Sequence, residues 1–147
     1  MKKADITAKD NIEVEIPKEE FVEEEIRPSV SSYAKFFNET CVGWCKDSEC
    51  NLMFLKVQEN YANEKLRARG YLFLNDVYDM LGMPRTKAGQ IIGWIYDEKN
   101  PLGDNYVDFG IYAEHNMNFV NGYESSVLLD FNVDGMILDR LPDENES

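Results

Sequence analysis

Asp130, Asn132, Asp134 and Gly135 stand at the spacing of the first four signature positions of a calcium-binding EF-hand loop. In that loop, side-chain oxygens coordinate the ion and the glycine makes a sharp turn. The twelfth position requires a glutamate that binds through both oxygens, and Leu141 stands there instead. The flanking segments also have the composition of strands, whereas the motif needs helices. We therefore expect a strand that ends in a hairpin or bulge at Asp134 and Gly135, without calcium.

The same aspartates suggest a second chemistry. Asp108, Asp130 and Asp134 on neighbouring strands would bind magnesium for phosphoryl transfer if they came together. Acidic residues that alternate along strands more often form the solvated face of a half-covered sheet. The only histidine, His115, lies in the polar stretch "YAEHNMN", where we expect it to be exposed. We therefore predict no catalytic residue, and keep the metal-dependent enzyme as an alternative.

Three cysteines, Cys41, Cys45 and Cys50, form a C-x3-C-x4-C run. Structural zinc needs four ligands, and the single histidine is far along the chain. We expect free, reduced thiols; a disulfide or a metal site is less favoured. Gly89 and Gly93 lack the lysine and serine of a phosphate-binding loop, so we expect no cofactor.

The charge of the chain restricts its partners. The 147 residues carry a formal net charge of −13, which disfavours direct binding to nucleic acid. Residues 51–96 hold six basic against four acidic side chains, so this block carries +2 and the rest of the chain −15. No apolar run approaches the roughly 18 residues of a membrane span, and no apolar segment follows the first lysines. We expect a soluble, unsecreted protein.

The composition predicts three segments. Residues 1–28 form an acidic, flexible extension in which alternating apolar residues favour a short strand, residues 29–141 form one α+β domain, and residues 142–147 form an acidic tail. The extension contains an acidic arm: Glu19, Glu20, Glu23, Glu24 and Glu25.

Helical spacing is strongest in the first half of the domain. The pattern predicts a short helix from Ser29 through Phe37 and a long helix from Ser48 or Glu49 to a stop at Gly70. A further short helix is expected with Asn75 as its N-cap and Gly82 at its end.

The second half has the composition of strands. Four runs, "QIIGWIY", "NYVDFGIY", "SVLLDFNV" and "MILDRL", are predicted strands, and "HNMNFVNGYE" is a short helix or a loop. Helices followed by strands predict an α+β fold, with two or three N-terminal helices packed on a small antiparallel sheet of three to four strands.

Three runs carry a family resemblance. "YAKFFNE", "NLMFLKVQENYANEKLRARGYLFLNDVYDMLGMPRTKAGQIIGW" and "LLDFNVDG" resemble a family of uncharacterised proteins from phages and prophages of Gram-positive bacteria. The resemblance extends from about Tyr33 to Leu141 and leaves the acidic extension outside. It implies a location in the host bacterial cytoplasm or the virion, and no activity. The leading hypothesis is a non-enzymatic accessory protein that binds another protein, in virion assembly or in host takeover. An acidic DNA mimic that inhibits a host defence protein is the alternative.

A basic patch is the candidate interaction surface. Its residues follow one another on the long helix and after the next one: Lys65, Arg67, Arg69, Arg85 and Lys87. We expect this patch to attract the acidic arm, within the chain or from a neighbouring subunit, which would give a homo-oligomer. A phage or host protein is the expected partner, and no membrane is involved.

Overall fold

A computed structural model describes residues 31–141, which contain three α-helices and five short β-strands. In chain order these are β1 (Lys35–Phe37), α1 (Ser48–Arg69), β2 (Tyr71–Phe73), α2 (Leu74–Leu81), β3 (Ile92–Ile95), α3 (Met117–Val120), β4 (Val127–Leu129) and β5 (Gly135–Met136). Single turns of 3-10 helix occur at Ala88–Gln90, Glu114–Asn116 and Leu138–Arg140. The predicted extension with its strand (residues 1–28) and the acidic tail (142–147) lie outside the described residues.

The strands form two small antiparallel sheets. β1 pairs with β4, which places Phe37 opposite Val127. β3 is the central strand of the other sheet, between β2 and β5, with Leu72 opposite Trp94. The predicted α+β class is confirmed, and its strands are divided between two sheets because β4 and β5 pair with different partners.

The long helix α1 begins and ends as predicted. The Asp47 carboxylate accepts a hydrogen bond from the Glu49 N–H at 3.0 Å and so caps the first turn. At the other end Gly70 adopts a φ of 87°, and its N–H donates to the Leu66 carbonyl at 2.7 Å. Glycine takes this left-handed conformation without the steric cost of a Cβ. The inner face of α1 buries Leu55, Ala62 and Leu66 completely.

Helix α2 starts two residues earlier than the sequence pattern predicted, because Phe73 and not Asn75 is its N-cap. The Asp76 carboxylate accepts from the Phe73 N–H at 3.0 Å, so the chain becomes helical at Leu74. Asn75 is therefore inside the helix and not its N-cap. Its side chain instead pairs with the backbone of Thr86. The end at Gly82, with a φ of 72°, is as predicted.

The predicted first helix is wrong where the structure describes it. Residues 35–37 form strand β1, which pairs with β4 across more than ninety residues of sequence. Phe36 is 59% exposed whereas Phe37 is fully buried, which is the alternation of a strand. Pairing with a distant strand overrides the local helical spacing.

The predicted strand at residues 105–112 is also wrong, because this segment is irregular. Val107, Phe109 and Ile111 are buried at alternate positions, which is the pattern that suggested a strand. Gly110 has a φ of 72° and Asn105 a φ of 64°, and these left-handed residues interrupt an extended ladder. Two ladder-like bonds survive, from the Asp130 N–H to the Phe109 carbonyl and from the Asn132 N–H to the Asp108 carbonyl.

The predicted hairpin or bulge at Asp134 and Gly135 is replaced by a crossover between sheets. β4 pairs with β1 in one sheet, whereas β5 pairs with β3 in the other. Gly135, with a φ of 114°, lies where the chain enters β5. Of the final predicted strand, "MILDRL", only Met136 lies in a strand, and a 3-10 turn occupies Leu138–Arg140, so this prediction is largely wrong.

The core lies between α1, α2 and both sheets. Its largest fully buried side chains are Trp94, Tyr78, Phe37, Phe109 and Phe119. Edge-to-face contacts join Phe131 to the Tyr78 ring at 5.8 Å and to the Phe109 ring at 5.5 Å. No helix within residues 31–141 has the length and apolar content needed to cross a membrane.

Candidate functional site

Two members of the predicted basic patch form ion pairs with α2. The Arg69 guanidinium lies 3.2 Å from the Asp76 carboxylate and stacks over the Tyr71 ring at 4.7 Å. Arg85 donates to Asp79 through two nitrogens, at 2.6 and 3.0 Å. The hydrogen bond from Arg85 holds the pKa of Asp79 below its usual value. Much of the positive charge at these positions is therefore compensated locally.

The other three members of the patch are not part of these two ion pairs. The Lys65 ammonium lies over the Tyr61 ring, 5.5 Å from its centroid, and Arg67 is exposed on the same helix. Lys87 is exposed after α2, and no contact described here joins it to the helical cations. The patch as predicted is thus a mixed-charge surface. The acidic arm, Glu19 to Glu25, lies outside the described residues.

The side-chain oxygens of the calcium-like residues accept hydrogen bonds from other parts of the chain. The Asp130 carboxylate accepts from the Ser31 hydroxyl at 2.8 Å. Asn132 accepts from the Trp94 indole N–H at 2.9 Å. Asp134 accepts from the Ile95 N–H at 2.9 Å. The Asp130 oxygen binds the segment before β1, whereas the Asn132 and Asp134 oxygens both bind β3.

The carboxylates of the enzyme alternative are occupied in the same way. Asp108 accepts from the Gly110 N–H at 2.8 Å, and burial raises the pKa of Asp134. His115 is exposed, as predicted, with Nε2 3.3 Å from the Leu128 carbonyl oxygen. Within residues 31–141 there is no group of three or more histidine, cysteine, aspartate or glutamate side chains that could hold a metal ion.

Asparagine side chains form a set of contacts that sequence reasoning missed. Five of them each pair with both the N–H and the carbonyl of one distant residue, as a neighbouring strand would. The pairs are Asn51 with Cys45, Asn63 with Val107, Asn75 with Thr86, Asn105 with Asp97 and Asn116 with Leu128. The contacts of Asn51, Asn63 and Asn75 hold irregular segments against α1 and α2, whereas Asn105 joins two loop positions and Asn116 joins a 3-10 turn to β4.

A shallow cleft of about 250 Å³ lies at the start of α1. Its lining includes Asp47 and Glu49 on one side and Phe119 and Gly122 on the other. The two carboxylates work against the anion binding that a helix N-terminus favours.

An exposed apolar face on α1 is the clearest surface feature. Met53, Val57 and Tyr61 follow one another at four-residue intervals and are 67%, 55% and 50% exposed. Residues at this spacing lie above one another on one side of a helix, and this outer face is opposite the buried Leu55 and Leu66. This exposed face can be recognised from the sequence, because the helical spacing places apolar residues on two sides of α1.

Cations border the outer face (Met53, Val57 and Tyr61). The Lys56 ammonium lies 6.0 Å from the centroid of the Tyr112 ring, and Lys65 lies over Tyr61. Glu59 does not offset them at the surface, because its carboxylate turns inward and accepts from the Phe109 N–H at 2.8 Å. The solvent side of α1 thus combines apolar and positive groups in an otherwise acidic protein.

The fold and this surface define an α+β protein with an exposed apolar face on its long helix. The chain belongs to a family of unknown function (DUF6353), whose model matches residues 1–141. The expectation of an uncharacterised family is confirmed to that extent. The match includes the residues before Tyr33, so the expectation that the acidic extension lies outside the family is wrong. Neither the curated proteins nor the solved structures contain a match.

Proposed function

We propose that this is a phage-encoded accessory protein that acts by binding another protein, in virion assembly or in the infected host cell, and that it catalyses no reaction. The phage origin is supported by the resemblance of its central runs to phage and prophage proteins. The binding role is supported by the surface of α1.

The observation that carries the proposal is the outer face. A solvated helix surface normally presents polar side chains, whereas Met53, Val57 and Tyr61 each expose at least half of their area. Contiguous exposed apolar groups bordered by polar ones are typical of protein interaction sites. The side chains beneath them are buried and fixed, so the face is presented on a rigid element.

The partner we propose is a protein that presents an amphipathic helix with acidic edges. Apolar residues four apart form a ridge, and such ridges pack into the groove of a second helix. Between residues 53 and 67 the solvent side carries Lys56, Lys65 and Arg67 against the single carboxylate Glu64, with Glu59 turned inward. This surplus of positive charge complements carboxylates along the edges of the partner helix.

A charge introduced into the outer face tests the proposal. Tagged wild-type protein and the Val57→Glu variant are expressed in infected host cells and captured, and the bound proteins are quantified by mass spectrometry. Val57 is exposed, so Val57→Glu should unfold with the same midpoint as the wild type. We expect one protein to bind the wild type and not Val57→Glu. This protein should contain an amphipathic helix with acidic edges. It is sought both among the captured proteins and in purified virions.

The matched control adds the same charge elsewhere. Asn118 is exposed on α3 and is not part of the outer face, so Asn118→Glu should retain the partner. The same bound proteins on all three baits would contradict the proposal. Loss of only a second copy of this chain would show self-association instead. Recovery of a nuclease that added DNA releases would favour the DNA mimic.

A further inference from the structure

Cys45 is held against the first turn of α1 by the Asn51 side chain. The Asn51 oxygen accepts from the Cys45 N–H at 2.9 Å, and its amide nitrogen donates to the Cys45 carbonyl at 2.7 Å. Asn51 is fully buried, so this clamp is part of the fold. Because Cys50 immediately precedes Asn51, the clamp holds Cys45 against the helical turn that carries Cys50.

Both thiols are accessible. Cys50 is exposed and Cys45 is partly exposed, and both are free. The hydrogen bond with Cys45 raises the pKa of the Cys50 thiol above its ordinary value. The Cys45 sulfur also lies 3.6 Å from the Asp47 carbonyl oxygen, at the N-cap of the same helix.

We propose that Cys45 and Cys50 form a reversible dithiol–disulfide pair that reacts with low-molecular-weight disulfides. The exposed Cys50 thiolate attacks one sulfur of the small disulfide and forms a mixed disulfide with it, while the other sulfur leaves as a thiolate and takes up the proton that Cys50 lost. The Cys45 thiolate then attacks the Cys50 sulfur of the mixed disulfide and releases the second small thiol. The protein loses two hydrogen atoms and two electrons, and one small disulfide becomes two thiols.

Cys41 provides an internal comparison. It is buried, with 6% of its area exposed, and its sulfur lies 3.8 Å from the Phe36 carbonyl oxygen beside β1. Thiolate formation and access control exchange, so a buried thiol reacts slowly. The proposal therefore assigns the reaction to two of the three cysteines, independently of any protein partner.

The experiment treats the full reduced chain with oxidised glutathione under native conditions and stops the exchange with acid. Free thiols are then blocked in denaturant and the chain is digested with trypsin. Cleavage after Lys46 separates Cys45 from Cys50, so the proposed bond joins peptide 36–46 to peptide 47–56. We expect this joined peptide, an intact mass lower by two hydrogens, and full reversal by dithiothreitol.

Variants identify the cysteine that contributes the bond, since peptide 36–46 also contains Cys41. Cys41→Ala should keep the joined peptide, and Cys45→Ser should lose it and retain glutathione on Cys50. Loss of the joined peptide in Cys41→Ala would overturn the proposal. So would a stable glutathione adduct on wild-type Cys50, a disulfide between two chains, or no reaction.

Discussion

Replacing Asn51 should destabilise the fold more than any exposed change on α1. Its side chain makes three hydrogen bonds, two with Cys45 and a third in which the amide nitrogen donates to the Ser125 carbonyl at 2.9 Å. A single hydrogen bond contributes about 0.5–1.5 kcal/mol net, and a buried donor left without a partner costs about 1–3 kcal/mol. Asn51→Ala should therefore lower the free energy of unfolding by about 2–4 kcal/mol.

An isosteric change separates hydrogen bonding from lost volume. Asn51→Asp keeps the oxygen that accepts from the Cys45 N–H. It replaces the amide nitrogen with a second oxygen, which then faces the Cys45 and Ser125 carbonyls and cannot donate to them. At neutral pH it should cost at least as much as Asn51→Ala, because it also buries a charge. Protonation of the new carboxyl should recover part of this loss as the pH falls.

Urea unfolding measures these changes, with Asn60→Ala as the control. Asn60 is exposed on the same helix, so its replacement should change the free energy of unfolding by no more than about 0.5 kcal/mol. The dependence on urea concentration should be the same for all variants. A loss for Asn51→Ala equal to that of Asn60→Ala would refute the view that asparagine side chains fix the irregular segments.

The remaining predictions concern charge. Burial raises the pKa of Glu59, so its protonated form is favoured in the folded state, and wild-type stability relative to Glu59→Gln should fall as pH rises from the ordinary value through the raised one. Unfolding midpoints across that range measure this effect, and a difference constant with pH would contradict it. Millimolar calcium should not raise the melting temperature, and a rise abolished by Asp130→Ala would show that the loop binds the ion. If the acidic arm pairs with basic residues of a second subunit, light scattering should show association that weakens with salt, since charges are screened within about 10 Å at 0.1 M. Two variants should each give the same smaller species: deletion of residues 1–28, and replacement of Lys65, Arg67 and Arg69 by Glu. An unchanged mass in both would exclude this pairing.

The sequence predicts those elements whose determinants are local. The long helix has a cap at Asp47, a 3.6-residue period and a glycine stop at Gly70, all within one stretch of chain. The end of α2 at Gly82 is predicted for the same reason. These features depend on residues a few positions apart, so they can be recognised before the fold is known.

The features that were missed depend on distant residues. Strand β1 exists because Lys35–Phe37 pairs with Val127–Leu129, and its own spacing resembles a helix. Asn63 fixes Val107 across forty-four positions, and nothing in either local sequence marks this pair. For the candidate site, the sequence identifies the cations but not their pairing with α2, which depends on how the two helices pack.

Photo-crosslinking from the outer face tests the proposed function most directly. A benzophenone amino acid at Val57 is activated by light in infected cells, and the same group at Lys99, in an exposed loop, serves as the control. We predict that Val57, and not Lys99, crosslinks to one other protein, and that the linked peptide lies in an amphipathic helix edged by carboxylates. Equal products at both positions, or a product at Val57 that contains only a second copy of this chain, would contradict the proposal.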